Sequence, residues 1–127
     1  MPLTVAQVGK FAGQLDLVFE SGAAFDLEFT WWDLFWGDGD ARNEPKDLTG
    51  YTASLRIRQK PNSEIYLYET TEVGDLTLGG ALGTIALNLT AADTAAFAWP
   101  GRAYWVLELT DPSSHVFRFL EGRASID

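Results

Sequence analysis

Apolar and polar residues alternate one for one along most of this chain, a period of two that points to half-buried β-strands. In "QLDLVFE", Leu15, Leu17 and Phe19 alternate with Asp16, Val18 and Glu20. "AFDLEFTW" sets Phe25, Leu27, Phe29 and Trp31 against Asp26, Glu28 and Thr30. The same pattern returns with Tyr51, Ala53, Leu55 and Ile57 in "YTASLRIR", and with Ile85, Leu87 and Leu89 in "TIALNL". "AYWVLELT" puts Ala103, Trp105, Leu107 and Leu109 on one face. "EIYLYET" is a weaker strand and "DLTLGG" a short one. In "HVFRFLEGRASI" the apolar set slips from Phe117 and Phe119 to Leu120, Ala124 and Ile126, which predicts a bulge near Gly122.

Turn chemistry separates these runs. "ESGA", "DLTG", "KPNSE", "LGGALG", "WPG" and "DPSS" each carry the Gly, Pro or Asx residues of a reversal. One helical signal stands out, in "LTAADTAAFAWPG". Thr90 is placed to cap, Asp93 occupies the third position, and Pro100 with Gly101 closes a short helix near residues 91–98. About seven to nine short strands with one short helix predict an all-β, immunoglobulin-like antiparallel β-sandwich without its cysteine pair. Residues 1–14 show no strand pattern and read as an N-terminal arm, and 15–127 as one sandwich domain.

Composition narrows the function classes. The 127 residues suffice for one domain with a core. No apolar run approaches the ~18 residues of a membrane span. "MPLTVAQVGKFAGQ" lacks the apolar centre of a secretory signal, so a soluble, unexported chain is expected. The absence of cysteine removes disulfides and thiolate metal sites. With a net charge of −9 and no run of Lys and Arg, nucleic acid is not an expected partner.

Candidate chemistry is sparse, and no enzyme, cofactor or metal site is expected. His115 is the one histidine and sits in the turn "DPSSHV". Ser113 and Ser114 beside it make no triad, because a base must meet its nucleophile in space and be oriented by a third group. The glycines of "LGGALG" precede no long helix that could cradle a phosphate, and read as a hairpin turn. Carboxylates such as Asp26, Glu28, Glu108 and Glu121 fall on the wet face of strands. In "DGDARNE", aligning Asp38 and Asp40 with calcium-ligand positions one and three puts Arg42 at five and Thr49 at twelve, a poor cage. A weak oxygen site that adds Asp33 is the remaining option there. Asn88 in "NLT" matches a glycosylation acceptor by composition alone.

The aromatics of "FTWWDLFWGDGDARNEPKDLTG" call for an explanation of their own. Trp31 belongs to the inward set, so its neighbour Trp32 faces outward. Phe35 and Trp36 fall beyond the strand, in an insertion before "DLTG". Three roles suit them: a cap on the open end of the sandwich, a protein contact anchored by Trp32, Phe35 and Trp36 and rimmed by charge, or a platform on which sugars stack.

Three segments in order, "DLTGYTASLRIRQ", "LTLGGALGTIALNLTAADTAAFAWPGRAYWVLELTD" and "FRFLEGRASID", resemble small virion proteins of tailed bacteriophages. They are similar to the N-terminal sandwich module of baseplate and tail-fibre adaptor (upper baseplate) proteins. The resemblance spans roughly Leu15 to Asp127. It departs at "WDLFWGDGDARNEPK", where related modules have a short turn, and at "DPSSHV", where they read "DPSGtv". It implies a structural protein of the virion, made in the host cytoplasm. Its partners would be tail, baseplate or fibre subunits and copies of itself, joined by strand pairing and aromatic contacts. A capsid decoration (cement) protein is the alternative within that class. A carbohydrate-binding module contacting host glycans is the alternative from another.

Overall fold

The computed structural model describes the backbone of residues 2–6, 13–37 and 40–127, and the side chains of residues 13–32 and 44–127. The strands run in order β1 (Pro2–Ala6), β2 (Gly13–Gln14), β3 (Leu17–Phe19), β4 (Phe25–Gly37), β5 (Asp40–Pro45), β6 (Thr52–Arg58), β7 (Tyr68–Thr71), β8 (Leu76–Leu78) and β9 (Thr84–Leu89). Helix α1 (Ala91–Ala95) precedes β10 (Arg102–Thr110) and β11 (Val116–Ile126). One sheet has the order β1-β4-β9-β8, with β5 also paired to β4. The other has the order β2-β11-β10-β6-β7, with β3 also paired to β11. Strands β4, β9 and β8 thus stand as B, E and D of an immunoglobulin domain, and β6, β10 and β11 as C, F and G. The fold is an immunoglobulin-like β-sandwich, mostly antiparallel, with one short helix.

The inward residues read from the alternation meet between the sheets. Phe29, Trp31, Ile85, Leu87 and Leu89 from one side face Leu55, Ile57, Trp105, Leu107 and Leu109 from the other, all buried. Phe19 closes one end of the core against Phe25, Phe97 and Trp99 at ring separations of 4.7, 5.1 and 6.2 Å. Two turn residues are drawn inside as well, Leu48 from "DLTG" and Trp99 from "WPG". The indole N–H of Trp99 donates to the Ala124 carbonyl at 3.2 Å, so its polar atom is satisfied where it is buried.

Helix α1 begins as expected. Thr90 accepts from the Asp93 N–H, and Asp93 accepts from the Thr90 N–H, the reciprocal capping box. It ends at Ala95, short of residue 98, because Phe97 and Trp99 both reach the core. A spacing of two suits an extended chain and no helix.

Other expectations are corrected. The first 14 residues do contain strand: β1 runs parallel to β4, with Pro2 opposite Glu28 and Ala6 opposite Trp32, and β2 pairs with Leu120 and Glu121. In five residues opening on proline, only Leu3, Thr4 and Val5 alternate, too short a run to mark a strand, and the pairing is supplied by the edge of β4. Residues 7–12 lie outside the described residues. The bulge lies at Phe119 instead of Gly122. Leu107 pairs with Leu120 and Glu108 with Arg118, so Phe119 is the extra residue, and both Phe119 and Leu120 point into the core. "EIYLYET" forms strand only from Tyr68. Before it, Ser63 exchanges hydrogen bonds with the main chain of Ile65, holding a turn that leaves Ile65 77% exposed.

Candidate interaction surfaces

The aromatic stretch divides as its parity demands. Trp31 packs in the core with ring centroids 5.1 Å from Phe119, 5.5 Å from Phe117 and 6.4 Å from Tyr51. The Lys46 ammonium lies 5.4 Å from its ring centroid. Trp32, on the opposite face, is half-buried, yet its Nε1 is fully buried and has no hydrogen-bond partner among the described residues.

The backbone that follows corrects the strand end read from sequence, which placed Phe35 and Trp36 beyond the strand. Strand β4 continues through Phe35 and Trp36 to Gly37 and returns as β5, pairing Trp32 with Pro45, Phe35 with Arg42, Trp36 with Ala41 and Gly37 with Asp40. The segment is therefore a β-hairpin with a two-residue connection. The sequence held a signal for it, since Asp38-Gly39 between two runs is the strongest short-range hairpin cue. The side chains of Phe35, Trp36, Asp33, Asp38 and Asp40, and with them the weak cation site, lie outside the described residues.

The hairpin leaves the body along one edge of β4. Trp31 donates its N–H to the Gly83 carbonyl at 2.8 Å and accepts from the Lys46 N–H at 2.8 Å. N–H and C=O of one strand residue point the same way, so β5 continues the edge that β9 occupies lower down, and β1 lies on the other side. Among the described residues β5 pairs with β4 alone. An edge strand carries a row of main-chain donors and acceptors along which a neighbouring strand can add.

A second surface went unread in the sequence. No run of basic residues marks it, yet the fold gathers arginines on the outer face of the β11-β10-β6 sheet. Cross-strand register places Arg58 and Arg123 on either side of Tyr104. The next row holds Arg56, Val106 and Glu121, and the next Ser54, Glu108 and Arg118. Arg56 bonds to Glu69 at 2.5 Å and Glu108 at 3.0 Å, and Arg118 to Glu121 at 3.2 Å. Tyr66, carried there by the turn before β7, lies under Arg58 at 4.6 Å and Arg56 at 5.1 Å. The available signal was outward parity: these arginines all occupy wet positions of period-two strands that are remote in sequence.

The remaining candidates are structural. His115 lies in the β10–β11 turn with Nδ1 3.2 Å from Asp111 Oδ2, and Asp111 Oδ1 accepts the main-chain N–H groups of Ser113 and His115. That is an Asx turn, with no nucleophile oriented by the pair. Tyr68 donates to Asp75, and burial, followed by that bond, pushes its phenol well above its ordinary pKa, away from use as a base. Asn88 sits within β9 and donates to Asp26 at 2.8 Å. Among the described residues no three His, Asp or Glu side chains converge as metal ligands, and no helix is long and apolar enough to cross a membrane. The chain is an all-β, immunoglobulin-like sandwich module.

No family model and no curated protein matches the chain. Among solved structures it is similar to "Drosophila OTK, extracellular domains 3-5", at 15% identity over 90% of this chain and 33% of that one, with a TM-score of 0.33. The chain thus spans about a third of that structure's length. Likeness at this level carries no argument, and the immunoglobulin-like assignment rests on strand order and core.

Proposed function

We propose that this chain is a structural protein of a tailed-bacteriophage particle, a tail, baseplate or fibre-attachment component that docks on neighbouring virion proteins through the β4–β5 hairpin. The observation that carries the docking is the hairpin's isolation. A two-stranded ribbon is marginal by itself in water, and beyond Trp32, where β1 ends opposite it, this one pairs with no further strand among the described residues. Its sequence spends Trp32, Phe35 and Trp36 there, and Trp is the favoured anchor of interfaces. The virion assignment is supported by the sequence resemblance. The segments that carry it build β6 and β8 through β11, the body of the sandwich. The departure "WDLFWGDGDARNEPK" supplies the hairpin, the place where a contact special to one particle would be added.

The test is the double variant Phe35→Ser with Trp36→Ser. Its stability to urea should stay within ~1 kcal/mol of the parent, as for surface positions. Its incorporation into particles should fall at least tenfold, since truncating an interface anchor costs ~2 kcal/mol or more. Unfolding by the ~3–5 kcal/mol of an emptied core site would make the hairpin a lid on the sandwich, and normal incorporation would also refute the docking. A density map of the particle locates the chain, around the tail axis under this reading and over the shell for a decoration protein. A shift of tryptophan emission on adding host polysaccharide would favour glycan binding.

A further inference from the structure

The outer face of the β2-β11-β10-β6 sheet holds a groove of about 500 Å³, within the size range of ligand pockets. Tyr104 and Val106 line it, with Pro61 along one side. Its charges are unevenly matched. On β6, β10 and β11 the row Arg58–Tyr104–Arg123 holds no carboxylate, whereas each of the two following rows contains a glutamate; Asp16, which also lines the groove, flanks Arg123 from the β2–β3 link. Glu121 is held by Arg118 and by Gln14 Nε2, and Asp16 accepts the Arg123 main-chain N–H at 3.0 Å. Neither Arg58 nor Arg123 has an ion pair with a described residue.

We infer that this groove binds an acidic segment of a partner protein, with a carboxylate seated between Arg58 and Arg123 and an adjoining apolar side chain on the ring of Tyr104. Strands lie about 4.8 Å apart, so two arginines separated by one strand flank a site wide enough for one carboxylate, and each guanidinium offers a planar fork of donors to it. The tyrosine ring, Val106 and Pro61 give the neighbouring side chain an apolar wall. Global charge sets the class of ligand. A chain of net charge −9 repels a long polyanion at distance, so the local pair of cations selects a short acidic group backed by apolar contact. The inference stands apart from the hairpin and from the virion assignment, and either can fail without the other.

The experiment is an ¹⁵N NMR titration of the whole chain, with arginine Nε–H signals included. The probe is acetyl-Gly-Asp-Phe-Gly-amide, raised to about 10 mM to cover the weak affinity of a single contact. Saturable shifts are expected at Arg58, Tyr104 and Arg123, and the peptide with Asn in place of Asp should produce none. Arg58→Gln or Arg123→Gln should weaken binding at least tenfold, Arg58→Lys less, and Arg102→Gln, outside the groove, not at all. The amide spectrum of each variant away from the groove reports that it is folded. Raising salt from about 50 to 500 mM should weaken binding severalfold. The inference is overturned by equal binding of the Asn peptide, by no saturable shift, or by binding of a hyaluronan tetrasaccharide or an oligodeoxynucleotide in place of the peptide.

Discussion

The indole N–H of Trp105 donates to the main-chain carbonyl of Leu15 at 2.7 Å, and the bond fits only because residue 122 has no side chain. A Cβ at Gly122 would lie 1.9 Å from that same carbonyl oxygen and 3.0 Å from Trp105 Nε1. Trp105 is completely buried at the centre of β10, so the short link between β2 and β3 provides the acceptor its indole needs. The linker is itself tied down, since the Leu15 N–H donates to the Glu121 carbonyl at 2.9 Å.

Gly122→Ala should therefore be among the most damaging single-methyl changes in the domain. The clash is with backbone, which cannot swing aside, and relieving it breaks the Trp105 bond. Overpacking costs ~1–3 kcal/mol, and an orphaned buried donor a similar ~1–3 kcal/mol. Urea denaturation should show a loss of at least ~2 kcal/mol. A loss below ~0.5 kcal/mol would mean that the linker moves freely and that the bond is dispensable.

Thr94 offers a test of how the helix is held. Its hydroxyl donates to the Ala23 carbonyl at 2.8 Å and accepts the Gly22 N–H at 3.1 Å, pinning α1 to the turn between β3 and β4. Thr94→Val keeps the shape and strands both groups, at an expected cost of ~1–3 kcal/mol. Thr94→Ser keeps the bonds and should cost ~1 kcal/mol or less. Equal losses in the two variants would show that the methyl, and not the hydroxyl, is what matters.

Trp32→Phe should behave in the opposite sense. Its Nε1 is buried without a partner among the described residues, and an unsatisfied buried donor carries its desolvation penalty of ~1–3 kcal/mol in the folded state. Removing it while keeping a ring should leave stability unchanged or raise it by up to ~1 kcal/mol, read from the thermal midpoint. A fall of ~2 kcal/mol would mean that the ring's size, at a half-buried site, contributes more than its polar atom costs.

The β10–β11 turn has a predicted acid response. The main-chain N–H of His115 is the largest influence holding the Asp111 carboxyl below its ordinary pKa, with the His115 side chain and the Ser113 N–H adding to it. A pKa depressed by folding stabilises the turn above the unfolded value, and that stabilisation is lost as pH falls through the folded value. Protection factors at Ser113 and His115, with exchange corrected for its intrinsic pH dependence, should hold from neutrality down to about pH 4 and fall below it. Asp111→Asn should abolish the acid dependence. Loosening already well above about pH 5 would show that protonation of Asp111 is not the cause.

Much of the sandwich was legible in the sequence because period-two alternation is a local property. Each inward residue of β6, β9 and β10 could be named from its own strand, since one wet face and one dry face dictate side-chain type residue by residue. The capping box at Thr90 and Asp93 was legible for the same reason: four consecutive residues contain the whole interaction. Trp31 and Trp32 could be assigned opposite faces because adjacent strand residues cannot share one.

What depended on partners remote in the chain was decided by tertiary structure alone. Pro2–Ala6 is strand because the edge of β4 supplies its hydrogen bonds. The bulge falls at Phe119 because β10 needs both Phe119 and Leu120 in the core, a demand invisible from β11. Gly122 is glycine because Leu15, 107 residues earlier, passes against it. The row of Arg58, Tyr104 and Arg123 joins three strands whose sequences show no basic run. Alternation states which way a side chain faces. Register states what it faces, and register is set only when the sheets close around the shared core.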